Sequence, residues 1–262
     1  MTEPNDVPTY GAFDILIGPE TWGRGQARIE DNSIELTSQE TYDPRAPHIG
    51  EEMLFDLANL RTKRDGLLFA SRYGLLFAPH PKPGYKESFG QWLDHARDLR
   101  GALTLYSLSN QAVSNKAKDK DAVLQTLKES LRPFRARLGP DGHEFLDRYS
   151  VKEQANIVIG EVVNAHLPQS RVAATALLYQ EDEHGQWSVG TGAPPSFLWH
   201  PRFGSLLELA HFMLAAALMG RLEVRACKGC RRVFVPDPSD RLYHSSRCAN
   251  AARQRNRRAH TQ

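Results

Sequence analysis

The sequence predicts an α+β chain: a mainly helical body with a small β-sheet, followed by a C-terminal zinc-ribbon or treble-clef-like module. Three observations carry this reading. Long stretches of the first 220 residues space their apolar side chains three and four apart, as a helix burying one face requires. Shorter stretches near residue 30 and residue 180 alternate polar and apolar, as a half-buried strand does. All three cysteines fall within residues 227–248, CKGCRRVFVPDPSDRLYHSSRC, where a histidine completes the spacing C-x2-C-x13-H-x3-C.

Taken in order, residues 1–8 are expected to be a disordered start, and because MTEPNDVPTY has acids and prolines and no basic patch before an apolar run, no signal peptide is expected. Residues 9–220 are expected to form one N-terminal α+β domain. Within it AFDILIG and ARIEDNSIELTS read as strands, with GRGQ as the turn between them. GEEMLFDLANLRTK and DGLLFASRYGLLF read as helices, the second starting at Asp65 and Gly66, and HPKPGYKES as a loop with two prolines. The segment from Ser88 to Val113 carries apolar residues at Phe89, Trp92, Leu93, Ala96, Leu99 and Leu103, which is helical spacing. Two further helical patterns cover residues 121–137 and 141–165, and VAATALLYQ with QWSVGTG reads as a strand pair. LLELAHFMLAAALMG, residues 206–220, is apolar but falls short of the roughly 20 residues a membrane span needs, so it reads as a buried helix. Cytoplasmic residence and no membrane partner are the expectation.

Composition narrows the function. A chain of 262 residues, 40% hydrophobic and 24% charged, can bury a substantial core. The ten histidines include no HxxxH or HExxH pair, so a zinc hydrolase has no ligand helix. His211 reads as a hydrogen-bonded core histidine, Glu153 and Glu161 as solvent-facing charge, and the four tryptophans as packing residues. Gly23-Arg24-Gly25 lacks the flanking strand and helix of a phosphate loop. No catalytic residue is expected, and the chain is not read as an enzyme.

The C-terminal segment is different. Cys227 and Cys230 form a tight knuckle, with Gly229 permitting the backbone turn, and His244 and Cys248 complete a Cys3His set. Four such ligands close a tetrahedral site and leave no position for a substrate water, so one structural zinc ion is expected. Lys228, Arg231 and Arg232 are placed to offset the net negative charge of three thiolates on a divalent ion. Arg241 stands where a ββα finger needs a core leucine, which favours instead a knuckle, a short hairpin of RRVFV with RLYH, and a helix beginning around Ser245. Ser245 or Ser246 supplies the N-cap, Phe234 and Tyr243 a small apolar centre, and Ala249, Ala252 and Ala259 the packing face. Residues 221–262 are accordingly expected to be a separate zinc-binding module with a basic C-terminal helix.

Cys227 to Arg258 resembles the CGNR-type zinc finger of bacterial proteins. That family has a knuckle, an aromatic-Cys-Ser step, Cys-Gly-Asn-Arg and a basic helix; this chain has Tyr243-His244-Ser245 and Cys248-Ala249-Asn250-Ala251 at the last two steps. The resemblance implies a transcriptional regulator whose N-terminal domain senses a stress or ligand. Charge points the same way. From residue 221 onward eleven Lys and Arg face three Asp and Glu, a net +8, whereas the first 220 residues carry 22 against 28, a net −6. Arg247, Asn250, Arg253, Gln254, Arg255, Arg257 and Arg258 give the last helix groups suited to phosphates and base edges, so double-stranded DNA is the expected partner. RNA or an acidic protein is the alternative, and a homodimer through the N-terminal domain is expected.

Overall fold

The computed structural model describes residues 22–38, 40–42, 50–78, 81–82, 84–113, 120–166, 175–176, 179–181, 187–189, 197–198, 203–219, 222–237 and 241–259. The expected disordered start, AFDILIG and Trp199 lie outside them. Small antiparallel sheets flank a helical body, and the C-terminal cysteines and histidine converge, as the fold class anticipates.

The first strands are short. β1 (Trp22–Arg24) pairs with β4 (Glu40–Tyr42), while β2 (Ala27–Glu30), β3 (Ser33–Leu36) and β5 (Glu87–Ser88) make a three-stranded antiparallel sheet. The hairpin expected to turn at GRGQ turns instead inside ARIEDNSIELTS. Asp31 and Asn32 both have positive φ, 48° and 60°, and link Glu30 to Ser33 in a two-residue connection. Asx residues tolerate this left-handed region, and two in succession match the twist of the flanking strands better than an ordinary turn would.

The helices follow capping chemistry closely. α1 (Gly50–Ala58) leads to α2 (Lys63–Tyr73), whose true N-cap is Thr62: its side chain accepts from Asp65 N, and Asp65 bonds back to Thr62 N. Asp65 is therefore the return half of a capping box rather than the first helical residue. α3 (Phe89–Val113) runs 25 residues and buries Trp92, Ala96, Leu99, Ala102, Leu103 and Leu105, a girdle too wide for one face. It is the central helix, packed by α1 and by two helices that follow it, α4 (Lys120–Arg135) and α6 (Val151–Asn164). The pattern over residues 141–165 divides into α5 (Pro140–Asp147), with proline at its start, and α6, capped by Ser150 and Glu153. Glu153 is thus a capping residue. The pair β7 (Tyr179–Glu181) and β8 (Trp187–Val189) forms as expected, beside a second pair, β6 (Thr175–Ala176) with β9 (Phe197–Leu198). α7 (Leu206–Met219) buries Leu206, Leu209, Ala210 and Leu214 against α1, α3 and α6. Among the described residues no helix is long and apolar enough to cross a membrane.

Two buried polar groups organise this core. Glu87, 3% exposed, accepts hydrogen bonds from the backbone N–H groups of Leu76, Phe77 and Ala78 and from Trp92 Nε1 at 2.8–3.0 Å. It binds the chain after α2 to the first turns of α3. His211, 2% exposed, donates through Nδ1 to Val162 O at 2.8 Å, so it is the core histidine anticipated. Its Nε2 finds no partner among the described residues, and the His166 ring stands 4.8 Å away, itself edge-to-face with His95.

Burial first, and the neighbouring His166 second, bring the His211 pKa down from 6.5 to about 4. The unfolded chain therefore binds more protons than the folded one between those values. The stability this neutral imidazole contributes is fully present above 6.5 and is lost as pH falls toward 4. Between pH 7 and pH 5 the loss is about 2 kcal/mol from this group. His211→Leu should lose less stability than the parent over that interval by about this amount, measured by urea unfolding at the two pH values. Equal losses would contradict the assignment.

Candidate metal centre

β10 (Arg225–Ala226) and β11 (Val233–Phe234) form a two-stranded antiparallel hairpin whose connection is the knuckle itself. Cys227 N donates to Arg232 O and Arg231 N to Cys227 O, each at 2.8 Å, closing the loop that presents Cys227 and Cys230. The expected partner strand RLYH is not the one used. Pro236 follows β11 almost at once and has no N–H to extend a ladder, and the later segment touches the knuckle through Lys228 N to Leu242 O at 3.1 Å.

α8 (Ser246–Ala259) supplies the fourth ligand from its first turn. Ser245 caps it, its Oγ accepting from Cys248 N at 3.3 Å and its carbonyl from Ala249 N at 3.1 Å. A helix start at this point directs N–H groups and the positive end of the helix dipole toward the sulfurs. His244 stands just before the helix, Nδ1 3.4 Å from Cys230 Sγ. One potential ligand atom from each of Cys227, Cys230, His244 and Cys248 lies within 4.8 Å of all the others. Zinc–sulfur and zinc–nitrogen bonds of about 2.3 and 2.0 Å imply tetrahedral edges of about 3.5–3.8 Å, so small side-chain rotations suffice. These four residues can hold one zinc ion.

Gly229 has a role other than the one its place in the knuckle suggests. The residue with positive φ is Arg231, at 59°, whereas a Cβ on Gly229 would lie 3.2 Å from Cys248 Cβ and 3.6 Å from its sulfur. The glycine is there for close approach of α8 to the knuckle.

The sulfurs oppose one another electrostatically. Burial works against the Cys227 thiolate, but hydrogen bonds from the side chain and backbone of His244 and from the backbone of Cys230 and Gly229 outweigh it and hold its pKa below the usual thiol range. Burial pushes the Cys230 thiol up, and neighbouring Cys227 and Cys248 push it further, against a bond from Arg232 N–H. A cation bound among them removes that conflict.

The apolar centre of this unit is not Phe234 with Tyr243, both of which stay partly exposed. Among its described residues Val224, Cys227, Val233, Pro236 and Ala252 are buried, and Val224 and Val233 belong to the same hydrophobic core as α1, α3 and α7. Polar contacts cross between body and knuckle as well. Asn59, just after α1, donates Nδ2 to Val233 O at 2.8 Å and accepts from Val233 N at 2.9 Å. Arg61 donates to Cys230 O at 2.8 Å and Arg231 O at 3.0 Å. Arg232 turns to Asp65 at 3.2 Å instead of toward the thiols, so Arg61 takes its place as the cation beside the knuckle. Nothing in the spacing of Asn59 or Arg61 marks them in the sequence.

Arg247, Asn250, Arg253, Gln254, Arg255, Arg257 and Arg258 are all exposed on α8. At about 100° per residue, Arg247, Asn250, Arg253, Gln254, Arg257 and Arg258 occupy one continuous arc opposite buried Ala252, while Arg255 lies on the flank.

No family model, curated protein or solved structure matches the chain.

Protein purified without chelator should carry about one zinc per chain, and Cys248→Ser should lose most of it while the helical signal of the body persists. Elemental analysis with circular dichroism reads both; less than about a fifth of an equivalent in the parent would contradict the site. Asn59→Ala leaves both main-chain groups of Val233 without their partner, which costs about 2–4 kcal/mol in unfolding measurements and should hasten zinc release to a chelator. Unchanged unfolding and release would show that the latch carries no energy.

Proposed function

We propose that this chain is a zinc-stabilised DNA-binding protein, a transcriptional regulator of the kind the CGNR resemblance implies, with α8 as its duplex-contacting element. The observation that carries the reading is the continuous exposed arc of Arg247, Asn250, Arg253, Gln254, Arg257 and Arg258 on a helix anchored at its first turn by a metal ligand. Guanidinium groups bind phosphates and guanine edges in pairs of hydrogen bonds, and Asn or Gln pairs with adenine. The arc has six such side chains and no acid. Zinc holds the start of the helix, so the far end projects with its Arg257 and Arg258 pair exposed. The acidic body is then the sensing and dimerising part, its charge keeping it off the polyanion that the tail seeks. No catalytic step is assigned to it.

Replacing Arg253, Arg257 and Arg258 together with Ala should weaken duplex binding across unrelated sequences and flatten the salt dependence by up to about 0.9 in slope per lost phosphate contact. Fluorescence anisotropy over a salt series, with zinc content as the folding control, gives the result. A zinc-loaded triple variant with unchanged affinity and slope would remove α8 as the reading element and leave an acidic protein partner as the better account.

A further inference from the structure

Docking of the knuckle on the body creates a trough of about 1330 Å³ between α3, α4 and the zinc unit. Its cations come from three separate parts of the chain. Arg97, Arg100 and Arg137 stand along the α3–α4 side and Arg61 at the junction, while Arg225, Lys228 and Arg231 line the knuckle side, against the carboxylates of Asp98 and Glu129 among the described residues. Three of the seven have acidic partners: Arg97 with Asp94 at 3.0 Å, Arg137 with Asp98 at 2.6 Å and Arg225 with Glu223 at 2.7 Å. The side chains of Arg61, Arg100, Lys228 and Arg231 form no ion pair with a carboxylate among the described residues.

Arg100 is the informative one. It is half-buried and anchored by Nη1 to Ala58 O at 3.0 Å and Leu60 O at 3.2 Å, both neutral acceptors. Burial first, then Arg61 and Arg97, bring its pKa below the ordinary guanidinium value. Like charges gathered in a partly desolvated recess oppose folding unless an anion enters among them. Leu108, Val123 and Phe134 add apolar surface from α3 and α4 to the same lining, and the volume exceeds what an inorganic anion fills.

We propose that this trough binds a polyphosphorylated small molecule, its phosphates held by Arg61, Arg100, Lys228 and Arg231 and its organic part lying on Leu108, Val123 and Phe134. Because the Arg100 guanidinium is tethered to the carbonyls of Ala58 and Leu60, the phosphate must come to it. The free end of a polyphosphate chain can reach such a recess, whereas a phosphodiester flanked by sugars on both sides has no free end to insert. Arg61 couples the site to the metal, since the same guanidinium holds the carbonyls of Cys230 and Arg231. The proposal stands apart from the role given to α8.

Calorimetric titration of the zinc-loaded full chain at low salt, with inorganic tripolyphosphate, ATP, GTP and adenosine as probes, tests it. Tripolyphosphate and at least one nucleoside triphosphate should bind saturably near one per chain, adenosine should not, and tighter binding of the nucleotide would assign the apolar wall to its base. Lys228→Ala with Arg231→Asn removes two exposed cations and places at residue 231 a side chain that accepts positive φ. It should keep its zinc and weaken triphosphate binding at least about tenfold. Arg100→Gln is the second variant and should act in the same direction. The Arg253, Arg257 and Arg258 triple variant should bind triphosphate as the parent does. Absence of saturable binding, unchanged affinity in the knuckle variant, or equal loss in the α8 variant would overturn the proposal. So would a single-stranded oligonucleotide that binds more tightly than the triphosphates and shows the same dependence on Lys228 and Arg231, since the trough would then be a nucleic-acid path.

Discussion

The side-chain amide of Asn59 occupies the place of a neighbouring strand, donating to one main-chain group of Val233 and accepting from the other. Such bonds add only about 1 kcal/mol each when made, but leaving a buried N–H or C=O unpaired costs about 1–3 kcal/mol, so the position of β11 on the body is sharply specified. The rest of the C-terminal unit takes its place from that pairing. Arg61 can reach the knuckle carbonyls and Asp65 can reach Arg232 because β11 is held where it is. The knuckle in turn sets where α8 begins, and Gly229 sets how closely it approaches.

Docking changes the electrostatics of both partners. The thiols gather in a cluster that resists carrying several negative charges, and the body answers with Arg61 at the knuckle backbone. On the other side the body contributes Arg97, Arg100 and Arg137 to a surface that already holds Arg225, Lys228 and Arg231. The body is acidic as a whole, yet the wall it turns to the zinc unit is basic. Net charge by segment describes solubility and long-range steering; the local field is decided by which side chains the packing brings face to face.

The body can act as a platform because α3 is buried along most of its length and tied at its start. Glu87 gathers four donors at the point where the chain leaves α2 and enters α3. Burial pushes its pKa up, against those bonds, and the contest has a structural use: a carboxylate so placed is satisfied in one arrangement of residues 76–78 and Trp92. Further along, Gly101 lets the Phe134 ring lie where a Cβ would come within 2.4 Å, bringing α4 close enough to form one wall of the trough.

By itself the sequence determined whatever depends on near neighbours. The period of apolar residues in α3, the serine cap of α8 and the Cys227, Cys230, His244 and Cys248 set are local chemistry, readable along the chain, whereas the Ser150-x-x-Glu153 and Thr62-x-x-Asp65 boxes went unread although their spacing is just as local. Local reading also erred locally, at the Asp31–Asn32 turn and the start of α2, where one residue's conformational tolerance outweighed a broader pattern. Only the tertiary structure decided what Asn59, Arg61 and Arg232 do, because their partners lie more than 160 residues away in sequence and no spacing rule connects them. It also decided that Val224 and Val233 complete the body's core instead of a small core of their own. The physical reason is size: a hairpin of two-residue strands has too little apolar surface to bury by itself, so it borrows the body's.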